Sequence, residues 1–247
     1  MTLKFKYMNK ILLAFMLLCI VAFTSMAQQV PILEWQKSLG GNSYDISRSI
    51  KQTIDGGYIV AGFTNSTNGI VSGNHGYEDY WVVKLNTNGL VQWQKCLGGS
   101  GTDYANSIQQ TSDGGYIVAG FSNSIDGDVS GNHGGDDSWV VKLDNSGNLQ
   151  WQKALGGSSG DRSYSIQQTS DGGYIVAGWS NSIDGDVSGN HGGNDYWVVK
   201  LDGGGALQWQ KSLGGTVGDL AFFISQTSDG GYIVAGLSDS NNGCLLY

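Results

Sequence analysis

Asp126-Gly127-Asp128, with Asn123 before it and Asp136-Asp137 after it, gathers carboxylates and carbonyls at the density that a hard cation such as Ca²⁺ requires. The pattern returns at Asp184-Gly185-Asp186 with Asp195, but the first copy breaks it with Asn68 and Ile70, and no EF-hand spacing is present. Asp126, Asp128, Asp184 and Asp186 are therefore the candidate calcium ligands. The competing reading is a set of Asx-turns and glycine bends that order a loop without metal. His75, His133 and His191 each fall in Asn-His-Gly. Imidazole is a common metal ligand, yet loops on separate repeats stand too far apart to share one ion.

A second carboxylate series, Asp45, Asp103, Asp161 and Asp219, follows a Gly-Gly pair, and Asp79, Asp137 and Asp195 form a third. Repetition of this kind favours a structural task, most simply accepting backbone N–H groups. Catalysis requires a unique constellation, such as a nucleophile with its base or two carboxylates in different environments. Here nearly every candidate is a copy of its neighbours, so no catalytic residue is predicted. Arg48 and Arg162 are the only arginines and occupy non-equivalent positions, which predicts no arginine cluster for anions. Phe63, Phe121 and Trp179 could stack on sugars, though packing within the fold is the simpler use.

These residues are carried by a repeat. Trp35-Gln36-Lys37 recurs at Trp93, Trp151 and Trp209 with a step of 58 residues, and Asp55-Gly56-Gly57-Tyr58-Ile59-Val60-Ala61-Gly62 recurs at Asp113, Asp171 and Asp229 with the same step. A fixed period of this length means stacked supersecondary units. Framed on the tryptophan, the units are 35–92, 93–150, 151–208 and a partial 209–247. Each unit offers four short β-branched and aromatic runs bounded by Gly and Asx clusters. In the third these are strand a (149–155), strand b (164–169), strand c (174–179) and strand d (196–201). Asp171-Gly172-Gly173 between b and c, and Asp144–Asn148 between d and the next a, supply tight-hairpin chemistry. The expectation is all-β: a β-propeller of four-stranded antiparallel blades, the last incomplete. In such a meander the a–b and c–d connections share one end, and the long c–d loop makes that end the first place to look for binding.

The combination Trp-Gln-Lys-x-Leu-Gly-Gly, Asp-Gly-Gly-Tyr-Ile-Val-Ala-Gly and Asp-x-Trp-Val-Val-Lys-Leu resembles the bacterial β-propeller repeats of SBBP and delta-60 type, over essentially all of 30–247. The resemblance implies a secreted or cell-surface bacterial propeller and no established activity. Thr111-x-Asp113-x-Gly115 is similar to the Asp-box hairpin of sialidase-like propellers. Leu143–Gly147 leading to Trp151 is similar to the tryptophan motif of quinone-dehydrogenase-like ones. The chain departs from the repeat pattern at its end, where the fourth unit lacks the long loop and the Trp-Val-Val-Lys-Leu strand. That ending leaves open a shortened strand at 244–247 closing a four-bladed ring and a fragment of a longer array.

Lys4, Lys6 and Lys10 precede an apolar run from Ile11 to Phe23, and Ser25-Met26-Ala27 offers small residues at a cleavage site. Residues 1–27 thus read as a secretory signal, leaving 28–247 as the repeat domain with no further membrane span. The address is extracellular or cell-surface, with the periplasm as an alternative. Without the signal, the net charge moves from −8 to −11, which disfavours nucleic acid. Cys96 stands where sister repeats carry Ser38, Ala154 and Ser212, so a small side chain in a tight place is expected, and Cys96 and Cys244 are read as free thiols. The functional expectation is a non-catalytic interaction or structural module with a protein or polysaccharide ligand. A glycan-active propeller enzyme and a calcium-stabilised adhesin fragment are the alternatives.

Overall fold

The computed structural model describes residues 32–241. The chain divides into Met1–Gln36 and Lys37–Tyr247. In the first, residues 32–36 form no strand. The signal segment 1–27 and Cys244 lie outside the described residues.

In the second unit the described residues form strands and turns and no helix. Three antiparallel four-stranded sheets and one hairpin follow in chain order. The first sheet holds β1 (Asp45–Gln52), β2 (Tyr58–Thr64), β3 (Asp79–Leu85) and β4 (Val91–Leu97). The second holds β5 (Asp103–Gln110), β6 (Tyr116–Ser122), β7 (Asp137–Leu143) and β8 (Leu149–Leu155). The third holds β9 (Asp161–Gln168), β10 (Tyr174–Ser180), β11 (Asp195–Leu201) and β12 (Leu207–Leu213), and β13 (Asp219–Gln226) pairs with β14 (Tyr232–Ser238).

This assignment corrects the frame set on the tryptophan. Each sheet runs b-c-d and then takes the a strand of the following repeat. The cause is the turn between d and a: Asp144 N–H donates to Asn148 O at 2.9 Å and Gly147 N–H to Asp144 O at 3.1 Å. A turn that tight forces β8 back onto β7, so the next crossing between sheets occurs at the a–b link instead. Strand b also begins three residues earlier than its hydrophobic run, at the buried Asp161.

The b–c hairpin explains both of its glycines. Gly172 has φ +82°, the left-handed region that the turn requires. At Gly173, a Cβ would lie 2.3 Å from Leu201 O, so the strand end closes only on a residue without one. Asp171 accepts Gly173 N–H at 3.0 Å and binds Lys200 Nζ at 2.9 Å. Lys200 is buried and also donates to Leu201 O, so the repeated Asp and Lys tie the hairpin to strand d. Trp139 donates its indole N–H to Gln152 Oε1 at 2.7 Å, and Gln152 Nε2 donates to Ser130 O at 3.2 Å. The Gln of Trp-Gln-Lys therefore joins strand d to the long loop, and the same bonds recur at Trp81 and Trp197.

Successive sheets pack face to face. Ile59, Ala61, Tyr80 and Val82 of the first meet Ile108, Tyr116, Val118 and Trp139 of the second in one cluster. Ile117, Ala119 and Val140 meet Tyr174, Val176 and Trp197 in the next. Middle strands are therefore buried on both faces, which is why they read as unbroken apolar runs rather than alternating ones. Each fully buried side chain such as Ile117 or Ile175 contributes about 1.5–3 kcal/mol. Ser49, Ser107 and Ser165 accept the backbone N–H of Ile108, Ile166 and Ile224, each at 3.3 Å. Gln109 and Gln167 accept those of Gln168 and Gln226 at 2.8 Å. The four b strands are thus tied edge to edge across the sheets. Cys96 is buried with its thiol pushed up to about 12 by that burial, and Ala154 and Ser212 occupy equally tight places, as the substitution pattern predicts.

Candidate binding cavity

Every b strand carries a β-bulge at the same place. Pairing skips one residue between Ser47 and Ser49, between Ala105 and Ser107, between Ser163 and Ser165, and between Ala221 and Phe223. The skipped residues are Arg48, Asn106, Tyr164 and Phe222. A bulge leaves its extra residue out of the ladder and re-aims its side chain. The opposing strand-c glycine permits it: a Cβ on Gly62, Gly120 or Gly178 would lie 1.8 Å from the carbonyl oxygen of Ile46, Tyr104 or Arg162. The last residue of Asp-Gly-Gly-Tyr-Ile-Val-Ala-Gly is therefore the residue over which strand b bends inward.

All four bulge residues line one cavity of about 480 Å³, together with Tyr104 and Arg162. It lies at the strand-b start and strand-c end, where the c–d and a–b connections emerge. A continuous ladder of rings and guanidinium groups runs through it. Arg48 lies over Phe63 at 5.6 Å, Phe63 stacks on Tyr104 at 3.9 Å, and Tyr104 meets Phe121 edge-on at 5.1 Å. Arg162 covers Phe121 at 4.2 Å and Trp179 at 5.4 Å. Trp179 donates its indole N–H to the Tyr164 hydroxyl at 3.3 Å, and Tyr164 meets Phe222 edge-on at 5.4 Å. A second groove of about 740 Å³, lined by Ser and Gln side chains of β1, β5, β9 and β13, shares Arg48, Asn106, Tyr164 and Phe223 with the first.

The two arginines thus line a common cavity, although their non-equivalent positions predict no arginine cluster. The reason is that they sit two frame positions apart on strands of different sheets, and the bulges turn those strands toward one place. Arg162 binds Asp136 through Nε at 2.8 Å and through a terminal nitrogen. Arg48 is exposed and has no ion pair among the described residues. Phe63 and Phe121 are buried, so the packing use of these rings holds, with Trp179 half-buried among them.

The repeated carboxylates are engaged with the backbone. Asp103 Oδ2 accepts Gly99 N–H and the Ser124 hydroxyl, both at 2.9 Å, and Asp161 and Asp219 do the same in their loops. Asp79 Oδ2 accepts His75 N–H and meets His75 Nδ1, each at 2.8 Å, with equivalent pairs at His133–Asp137 and His191–Asp195. Each histidine is therefore held by the aspartate four residues on. Burial outweighs these bonds and pushes Asp79 up to about 6, and it raises Asp137 as well. Asp126 and Asp184 accept Ser100 N–H and Ser158 N–H, each at 2.7 Å. Asp128 and Asp186 accept Gly98 N–H and Gly156 N–H at 3.2 and 3.3 Å. The four candidate calcium ligands thus point at loop amides, and among the described residues no three His, Cys, Asp or Glu side chains are grouped to hold a metal ion.

Arg48, Arg162 and Phe121 were singled out in the sequence but not as one site, and Tyr104, Asn106, Tyr164, Phe222 and Phe223 were missed by reading the repeats for what they share. The signal lay in what they do not share: the bulge position reads Arg, Asn, Tyr, Phe, and the position two before it Ile, Tyr, Arg, Leu, between near-invariant neighbours.

No family profile matches the chain, and no curated protein matches it. Among solved structures, a protein of unknown function from Bacteroides caccae is similar at 15% identity with a TM-score of 0.34. The match covers 67% of this chain and 66% of that one, so the chain spans just under two thirds of that protein's length.

Proposed function

We propose that this chain is a secreted or cell-surface β-propeller module that binds an extracellular ligand without transforming it. In this reading the sheets are blades, the four b strands face a common axis, and the bulge cavity is the mouth of the axial channel. One observation carries it: four bulges on four repeats aim four chemically different side chains into one cavity, while the repeated aspartates each commit a carboxylate oxygen to bonds within the scaffold. Divergence of repeat positions that share one pocket is how a repetitive scaffold acquires a specific site.

The binding reading is favoured over a glycan-active enzyme because the carboxylates beside the cavity are already occupied. Asp136 is held by Arg162, and Glu78 accepts the Thr102 hydroxyl at 3.1 Å. A general acid and base pair needs two carboxylates in distinct environments, with access to the same bond. The test is electrophoresis of the purified chain through gels containing single polysaccharides, followed by sizing of each polysaccharide. Retardation by at least one polymer, with no change in polymer length, is the expected result. Depolymerisation would refute the non-catalytic reading.

A further inference from the structure

We propose that the bulge cavity is a binding site for an acidic saccharide, a sugar chain bearing carboxylates, with Arg48 as its anion-recognising group. The inference rests on the module reading above and gives it a ligand class.

Charge comes first. The chain is strongly acidic, at −8 overall, yet Arg48 stands exposed at the cavity with no ion pair among the described residues. A guanidinium offers five donors and no acceptor, in a fork that matches a carboxylate. Arg162 sets a second guanidinium in the same lining, with Asp136 fixing its orientation through Nε and one terminal nitrogen. The remaining donors and acceptors suit hydroxyl groups. Asn106 donates Nδ2–H to Ser163 O at 2.8 Å, which leaves its carbonyl as an acceptor. Tyr164 accepts from Trp179 and keeps its own O–H to donate.

Shape and edge chemistry narrow the class. Phe223 exposes 69% of its surface beside Phe222, an apolar platform of the kind that the C–H face of a sugar ring covers. The cavity shares Arg48, Asn106, Tyr164 and Phe223 with the Ser- and Gln-lined groove, which offers further hydrogen-bonding partners to the hydroxyl edges of a longer chain. An extended peptide would bind by adding a strand to an open sheet edge. The inner edges of β5, β9 and β13 are engaged against that, because Ile108, Ile166, Ile224, Gln168 and Gln226 already donate their amides to side chains of the preceding sheet. Along those three strands recognition falls to side chains, which is how saccharides are read.

The experiment is isothermal titration calorimetry of the purified chain with a galacturonate oligomer. The comparators are the same oligomer after reduction of its carboxyls to alcohols, and a triglutamate peptide. Arg48→Gln and Phe223→Ala test the site, and Lys153→Gln, at an exposed position on β8, is the control. Arg48 has no ion pair to lose, so the variant is expected to melt with the wild type. We expect the carboxylated oligomer to bind at least about tenfold more tightly than the reduced one, as a charged hydrogen bond implies. Arg48→Gln is expected to remove that preference and Lys153→Gln to keep it. Equal affinity for both oligomers, full affinity in Arg48→Gln, tighter binding of triglutamate, or no binding of any probe would each overturn the inference. Binding that survives Arg48→Gln leaves the module reading in place. Shortening of the oligomer, followed by mass spectrometry, would instead bring down the non-catalytic reading.

Discussion

Gly120→Ala is the sharpest probe of how the cavity is made. In a β-strand, Ala is ordinarily better than Gly by roughly 0.5–1 kcal/mol, because it loses less backbone freedom on folding. Here the new methyl would sit 1.8 Å from Tyr104 O and 2.7 Å from the Tyr80 hydroxyl, which itself donates to Trp139 O. Reaching ordinary contact requires β5 to retreat from β6 by more than 1 Å at the bulge, and β6 is buried along its whole length while Ala105 and Ile108 of β5 are packed in the core. Overpacking of this kind costs about 1–3 kcal/mol and occasionally more, and here it also disturbs an inter-sheet hydrogen bond. We expect a net loss of about 3 kcal/mol, which for a chain of this size lowers the melting temperature by roughly 6–12 °C. Gly218→Ala is the control, since nothing lies within 4 Å of its Cβ and its backbone needs no left-handed conformation. It should be neutral or slightly stabilising. The assay is thermal unfolding by circular dichroism, paired with urea unfolding by tryptophan fluorescence. A Gly120→Ala chain that melts within about 2 °C of wild type would refute the steric origin of the bulge.

Two further outcomes follow from the carboxylates. Asp79 is held near 6 in the folded chain against an ordinary value of 3.8, so between those values the folded state binds more protons than the unfolded one, and stability falls as pH rises. Asp55 and Asp113 are held at about 2, Asp55 chiefly by its hydrogen bonds from Thr53 and Lys84. For Asp113, the bonds from Thr111 and Lys142 outweigh the opposing effect of burial. Their stabilisation is therefore present above 3.8 and is lost as pH falls toward 2. The melting temperature should peak near pH 4 and decline up to about pH 6, with Asp79→Asn flattening the decline; a maximum at pH 7 or above would contradict the assignment. Excess Ca²⁺ should leave the melt of the wild-type chain where chelator leaves it, because Asp126 and Asp184 already accept loop amides. A ligand at a hundred times its dissociation constant would add about 2.7 kcal/mol. An upward shift that disappears in Asp126→Asn with Asp184→Asn would instead support calcium at these loops.

The strands, their order and their turns were legible in the sequence because each is specified locally. Leu149–Leu155 is a strand at the residues its pattern marks, and Gly172 adopts the positive φ that its turn demands. Period, apolar runs and hairpin chemistry act over a few residues, and a repeat states them several times. The tight place of Cys96 could likewise be read from the Ser and Ala of its sister repeats. What the tertiary structure decided depends on residues far apart in sequence. Which repeat an a strand joins is set by pairing, since a repeat has no intrinsic first residue. Whether Asp79 meets a metal or His75 depends on how the long loop folds back. That Arg48 and Arg162 line one cavity depends on bulges formed where strand-c glycines let carbonyls of another strand come close. Sequence spacing measures distance along the chain, and these juxtapositions are made by the packing of sheets across it.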